Sequence, residues 1–299
     1  MSVTTLRAEL FAELPEAYRS VETPSQWVDA NKPGEAVASF LEGPTIAEDG
    51  TLHVVDIPYG RIFRVDGSGR MSLLTQYDGW PNGMRRHPRG GFAIADYRRG
   101  ILHLKPGAST PSDLLTTLRS ESFKGCNDLV FGSDGTLYFT DQGQTGLHDP
   151  TGRVYRVSPD GTRAERLIGT APSPNGLVLS RDERVLFVAM TRACEVWRLP
   201  LFPEGVSKVG VFARLPAGVS GPDGLALDEN GNLYVAHASK GRVFVFDSEG
   251  EPIMTIDCQH IGKSVTNLVF GGVNNRTLYI TVSDASAIAT VEVPYSGAV

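Results

Sequence analysis

Gly221-Pro222-Asp223-Gly224-Leu225-Ala226-Leu227-Asp228 is one copy of a phrase that recurs along the chain. The phrase is a small or proline-containing turn, a polar residue, a short apolar run, an acidic or glycine turn, and a second apolar run. The other copies are Glu42-Gly43-Pro44-Thr45-Ile46, Pro81-Asn82-Gly83-Met84, Cys126-Asn127-Asp128-Leu129, Pro174-Asn175-Gly176-Leu177 and Val265-Thr266-Asn267-Leu268. The polar residue falls at 42, 82, 127, 175, 223 and 266, in steps of 40 to 48 residues. Counting on to the first strong apolar residue of the second run gives ten for Glu42 to Leu52, Asn82 to Phe92, Asn127 to Leu137 and Asp223 to Leu233. Asn175 to Leu186 takes eleven and Thr266 to Leu278 twelve, as longer turns would require. Repeats of this length with several strands in each are the signature of propeller blades.

One repeat read in full supports four strands: Gly176–Ser180, Val185–Met190, Glu195–Leu199 and Val209–Leu215, each apolar or alternating and bounded by polar or Gly/Pro turns. The fold class is therefore all-β, a six-bladed propeller of four-stranded blades. The last repeat offers only three strands, Asn267–Phe270, Thr277–Val282 and Ala287–Val293. An N-terminal strand must close the ring and remove the free sheet edges, and Glu35–Phe40 is the expected donor. Residues 1–20 are read as an extension, with Leu6, Leu10, Phe11 and Leu14 at helical spacing, and residues 21–299 as a single propeller domain. Two smaller β domains would need a linker, and six evenly spaced copies leave none.

Composition agrees. The 33 Gly and 19 Pro suit a fold with many turns, and hydrophobic residues make up 41% of the chain. The 28 Lys and Arg against 34 Asp and Glu give a net charge of -6, with both signs scattered. A nucleic-acid surface needs a clustered basic stripe, so no nucleic-acid partner is expected. No segment has the unbroken apolar length of a membrane span, and charges through the first twenty residues interrupt any signal-peptide core. Cys126, Cys194 and Cys258 are odd in number and widely separated. That fits neither a disulfide framework nor a zinc cluster, and points to reduced thiols in a cytoplasmic protein.

In a propeller the first strand of each blade lies nearest the axis, so a position repeated at its start is presented around the channel mouth. Here that ring reads Glu42, Asn82, Asn127, Asn175, Asp223, Thr266. Turn chemistry alone would explain Asn82-Gly83, Asn175-Gly176 and Asp223-Gly224. It does not explain Glu42, or Asn127 followed by Asp128. Two carboxylates and two amides brought to one axis call for a counter-ion. Glu42, Asn127, Asn175 and Asp223 are the candidate ligands of one divalent cation. An all-oxygen set suits Ca²⁺ or Mg²⁺ first, then Mn²⁺ or Fe²⁺, with Zn²⁺ last because no His or Cys stands in the ring.

Through Glu42-Gly43-Pro44, Cys126-Asn127-Asp128, Ser173-Pro174-Asn175-Gly176 and Gly221 to Asp228, the chain resembles the senescence marker protein / gluconolactonase / luciferin-regenerating enzyme family over about residues 35–295. The resemblance implies a six-bladed propeller with a divalent ion on Glu42, Asn175 and Asp223, and with Asn127 completing the shell or touching substrate. It implies hydrolysis of sugar lactones or other small lactones. Two alternatives are organophosphate hydrolysis, as in the related diisopropylfluorophosphatases, and a non-catalytic, metal-stabilised binding scaffold. In the expected mechanism the ion polarises the lactone carbonyl and a carboxylate takes a proton from water. Asp223 is the candidate ligand and base, Asp128 the alternative base, and Glu42 a ligand only. The animal sugar lactonases carry a basic residue two positions before their Asn, where this chain has Gly125.

Specificity is expected from the loops joining second and third strands, which share the mouth face. These point to Tyr59, Tyr97, Arg98, Gln142, His148 and His237 as substrate contacts, with the remaining ring positions Asn82 and Thr266. The longest such loop, Asp141–Arg153, carries Gly143, Gly146 and Gly152 and is the candidate lid. The expected partner is a small-molecule substrate.

Overall fold

The structure is a computed structural model that describes residues 3–20 and 24–298. Residues 1–2, 21–23 and 299, at the edges of the expected extension and domain, lie outside the described residues. Six antiparallel sheets follow one another in the sequence, and each runs outward from the axis in chain order. Blade 1 consists of Leu41–Ile46, Leu52–Asp56, Arg61–Val65 and Met71–Gln76. Blades 2, 3 and 4 begin at Pro81–Arg86, Cys126–Phe131 and Pro174–Leu179. Blade 5 begins at Pro222–Leu227 and blade 6 at Val265–Gly271. The molecule is the six-bladed propeller that the repeat period predicts. Among the described residues no helix is long and apolar enough to cross a membrane.

The core is distributed between blades rather than gathered at one centre. Val54 and Phe63 of blade 1 pack with Ile288 of blade 6, and Val188 and Leu199 of blade 4 pack with Tyr138 and Val154 of blade 3. Alternating apolar residues thus face the neighbouring sheet, which is how a propeller buries both faces of every blade.

The ring closes with an N-terminal strand, though not the one the sequence suggested. Residues 35–40 are not strand. Blade 6 is completed by Glu9–Glu13, antiparallel to Ala287–Glu292. Just before it, Thr4–Arg7 adds a fifth, parallel strand to blade 5 along Pro252–Asp257. The expected helix in residues 1–20 is therefore corrected to two strands and a short 3₁₀ turn at Glu16–Tyr18. Leu6, Leu10 and Leu14 satisfy helical spacing and two-residue alternation alike. Unpaired edges on blades 5 and 6 decide in favour of strand. Ala12 and Leu14 are buried in the seam between blades 6 and 1.

The freed segment has a different role. Gln26–Asn31 forms a short α-helix, and the Trp27 ring packs at a tilt against Phe40, centroids 5.0 Å apart. Asp56 accepts a hydrogen bond from the Phe40 backbone N–H at 2.8 Å, anchoring the segment to the mouth of blade 1.

Every first strand carries an irregularity at its start, in each blade at or directly beside the ring position: between Glu42 and Thr45, Pro81 and Met84, Cys126 and Leu129, Pro174 and Leu177, Pro222 and Leu225, and Val265 and Asn267. A bulge re-aims a side chain and frees backbone groups. Threonines of adjacent blades take up freed carbonyls: Thr140 donates to Asn175 O and Thr191 to Pro222 O, both at 2.8 Å, and Thr266 to Leu41 O at 3.0 Å.

Deleting residues 1–8 strips only the additional strand, whereas deleting 1–14 also removes the closing strand. Thermal unfolding should show a modest loss in the first variant and a broad, much lower transition in the second. Leu14→Ala should cost about 2–5 kcal/mol in denaturant unfolding.

Candidate active site at the channel mouth

Five of the six ring residues, Glu42, Asn82, Asn127, Asn175 and Asp223, line one pocket of about 620 Å³ at the channel mouth. All five are buried. Thr266 is not among them. Its hydroxyl is held by Leu41 O, Thr281 and Ser283, so it fastens blade 6 to blade 1.

The residue after it, Asn267, does reach the site. Its Nδ2 donates to Glu42 Oε2 at 2.8 Å, and Gly43 N–H donates to the same oxygen at 2.7 Å. Glu42 is thus fixed through one oxygen, leaving Oε1 free. Asn127 gives its Nδ2 to Gln142 Oε1 at 2.9 Å, and Gln142 passes a bond to Ser173 Oγ at 3.0 Å. The amide oxygen of Asn127 remains available. Asn175 supports the Asp223 carboxylate by hydrogen bonding.

Asp128 stands beneath this layer. It is buried, its backbone N–H donates to Thr140 Oγ1 at 3.0 Å, and its carboxylate pairs with Arg85 at 3.4 Å. It does not line the pocket. Its charge still acts on the floor. Glu42 is pushed up to about 7, chiefly by burial, with Asp128 adding and the bonds from Gly43 and Asn267 opposing. Asp223 is driven well above the ordinary carboxylate range by burial, then by Glu42 and Asp128. Three carboxylates therefore influence one another near the axis; Arg85 pairs with Asp128, and the charge of Arg192 acts on Asp223 in the opposing direction.

Among the described residues, no group of three or more His, Cys, Asp or Glu side chains gathers to hold a metal. The ring instead offers the pocket two carboxylates with three amides, of which Asn127 and Asn175 are the expected ligands. By donor chemistry this set fits a hard divalent cation, which would relieve the repulsion that raises Glu42 and Asp223.

The loops between second and third strands supply the wall: Ile57, Tyr97, Gln142, Arg192 and Ser239 from blades 1 to 5. Tyr97 and Gln142 thus line the pocket, and His148 lines an adjoining one of about 570 Å³ that shares Asn31, Gln142, Ser173 and Arg192. Three expected contacts lie elsewhere. Tyr59 donates to Val37 O at 2.7 Å and stacks on Arg61 at 4.5 Å. Arg98 pairs with Asp78 at 2.9 Å and lies over Trp80. His237 is fully buried, its Nε2 bonded to Pro216 O at 2.9 Å, and burial lowers its pKa. In register it matches Asp56, Asp96 and Asp141 of blades 1 to 3, strand-end residues that tie loops.

The structure also accounts for Gly125. A Cβ there would stand 2.5 Å from Tyr97 Cζ, so the Tyr97 ring fills the space a side chain at 125 would need. Lys124 points away, its Nζ bonded to Thr151. Helix Gln26–Asn31 and its following loop supply Trp27, Asn31, Lys32, Glu35 and Phe40 to the pocket. Gln144, in the candidate lid loop, donates to Asn31 Oδ1 and to the Tyr97 hydroxyl, both at 3.1 Å. These non-repeated residues carry no signal in the blade register.

A family model described as the SMP-30/gluconolactonase/LRE-like region matches residues 40–284. The lactonase drp35 of Staphylococcus aureus is 32% identical over 242 residues, covering 77% of this chain and 72% of that protein. Among solved structures, a gluconolactonase from Xanthomonas campestris superposes with a TM-score of 0.75 at 24% identity over 86% of each chain. A calcium-binding protein, regucalcin, from Agrobacterium tumefaciens gives 0.75 at 19% identity, covering 100% of this chain and 97% of that one. The two structures share the fold, and the sequence matches go further: the chain belongs to the SMP-30/gluconolactonase/LRE-like family.

Proposed function

We propose that the chain is a divalent-cation-dependent hydrolase of lactones, with sugar lactones such as aldonolactones as its substrate class and Ca²⁺ as the first candidate ion. The observation that carries this reading is the set of oxygen donors, Glu42, Asn127, Asn175 and Asp223, on the floor of one pocket in a family with lactonase relatives. The pocket walls support a sugar ring. Trp27, Phe40 and Ile57 offer an apolar side, and Ser173, Thr191, Ser220, Ser239 and Ser264 a hydroxyl-rich one.

Glu42, Asn127, Asn175 and Asp223 would hold the cation, which when bound supplies Lewis-acid polarisation of an ester carbonyl and offsets charge developing on its oxygen. Asn267 and Gly43 restrain Glu42 through one oxygen, which suits a ligand rather than a proton carrier. Asp223, on the pocket floor, takes the proton from the attacking water. Asp128, paired with Arg85 below the floor, acts as background charge and not as the base.

A pH-indicator assay across aldonolactones, aliphatic lactones and fluorophosphates tests the reading. Aldonolactones should be turned over, chelation should abolish turnover, and Ca²⁺ should restore it. Asp223→Ala should lower kcat/KM by about a hundredfold or more. Turnover of fluorophosphates alone would overturn the lactone reading. Lowered thermal stability on chelation, with no turnover anywhere, would make the ion a structural clamp.

Stability reports on the same site. A carboxyl held above its ordinary value stabilises the fold in its protonated form. For Glu42 that contribution is complete below about 4.5 and lost as pH rises through about 7. In chelated protein, Glu42→Gln keeps an oxygen for Gly43 and Asn267 while removing the charge. It should raise Tm by a few degrees at pH 8 and change it little at pH 4. Ca²⁺ should raise the Tm of the unsubstituted protein more at pH 8 than at pH 5.

A further inference from the structure

We propose that the mouth selects lactones bearing an anionic group away from the ester, a carboxylate or a phosphate, held by Arg192, Lys263 and the hydroxyls of Ser220 and Ser264. This rests on the lactone-hydrolase reading and narrows its substrate class.

The argument begins with the charges on the pocket wall. Lys32 and Glu35 form an ion pair with each other at 3.8 Å and largely cancel. Arg192 and Lys263 remain, both lining the pocket and both exposed. Arg192 Nη1 donates to Val219 O at 2.9 Å, which fixes the side chain across the rim without neutralising it. Among the described residues it makes no ion pair. The Lys263 ammonium has neither a hydrogen bond nor an ion pair among them. The nearby carboxylate of Asp284 is engaged by the backbone N–H groups of Lys263 and Ser264, at 2.8 and 3.0 Å, and so holds the loop. The hydroxyls of Ser220 and Ser264 also have no partner among the described residues.

These four residues come from blades 4 to 6 and their connections. Near Trp27, Phe40 and Ile57 the cation that lines the pocket is Lys32, which is already engaged by Glu35. With the charges of Glu42 and Asp223 taken up by the cation, Arg192 and Lys263 are the cations left at the rim to attract a second negative group. A guanidinium fork, an ammonium and two hydroxyl donors suit the oxygens of a carboxylate or phosphate. The same two charges, unpaired at a cleft mouth, would focus the field and hasten capture of anionic substrates at low salt.

The test compares kcat/KM for a neutral aldonolactone, an aldarolactone with a free carboxylate and a phosphorylated aldonolactone, at low and high salt. At least one anionic substrate should exceed the neutral one about tenfold, as one charge-assisted hydrogen bond would give. Which anion gains identifies its source. That ratio should shrink in high salt and fall about tenfold in Arg192→Gln, mainly through KM, with Lys263→Gln acting in the same direction. Gln keeps a donor for Val219 O, so charge is separated from rim geometry. Equal kcat/KM for neutral and both anionic substrates, or variants that lower all three alike, would overturn the inference.

Titration calorimetry with an open-chain aldarate separates this inference from the catalytic reading. If no lactone is hydrolysed but aldarate affinity drops about tenfold in Arg192→Gln, the anion site stands and the hydrolase reading falls. Equal aldarate affinity in both proteins overturns the anion site.

Discussion

The close approach of six first strands around one axis governs the rest of the molecule. A Cβ on Gly83 would stand 2.6 Å from Asp128 Cα, one on Gly176 2.6 Å from Gly224 Cα, and one on Gly224 2.7 Å from Asn267 Cα. Side chains cannot occupy all six places at this level, so four are glycine and only Asp128 and Asn267 are larger. Those two fill the space their glycine neighbours leave, and their oxygens would stand 2.4 and 2.2 Å from Cβ atoms on Gly83 and Gly224. They narrow the axis below the mouth. The donor ring therefore forms the floor of a cup, and Asn267 can brace Glu42 across the junction of blades 6 and 1.

This packing changes the meaning of the repeated Asn-Gly and Asp-Gly pairs. Gly83, Gly176 and Gly224 lie within strands and have ordinary φ values; of the ring glycines only Gly43 has a positive φ, +50°. Their glycine is demanded by neighbouring backbone, not by a turn. Because the axis imposes the same restriction on successive blades, the restriction is written into the sequence at a regular interval. The blade count and the donor ring were legible for that reason.

What the sequence concealed lies where no such repetition acts. Asn267 stands one place after the ring position and fills the level that four glycines leave empty, so reading one position per blade passes over it. Tyr59, Arg98 and His237 belong to the correct loops, but a loop gives no periodicity to say which of its residues faces inward. Ile57, Arg192 and Ser239 do so instead. Helix Gln26–Asn31 is a single short element outside the repeats. The closing strand was misassigned because Glu35–Phe40 is the nearer candidate along the chain, whereas pairing is decided by which sheet edge needs a partner. Floor and rim are thus under different rules: axial sterics hold the floor, while the rim is set by single local contacts such as that of Tyr97 with Gly125.

The N-terminal strands also set an order of events during synthesis. Thr4 pairs beside Met254, and Glu9 and Glu13 pair with Thr290 and Ala287, so residues 4–13 must wait for partners made about 250 to 280 residues later. Blades 1 to 5 can each form four strands from contiguous sequence, but closure joins segments far apart in the sequence and carries the largest loop-closure entropy. A nascent chain halted just before residue 287 would hold five formed blades with an apolar blade face unmatched at each end. Until the last hairpin arrives, those faces and the unpaired N-terminal strands are its most adhesive surfaces.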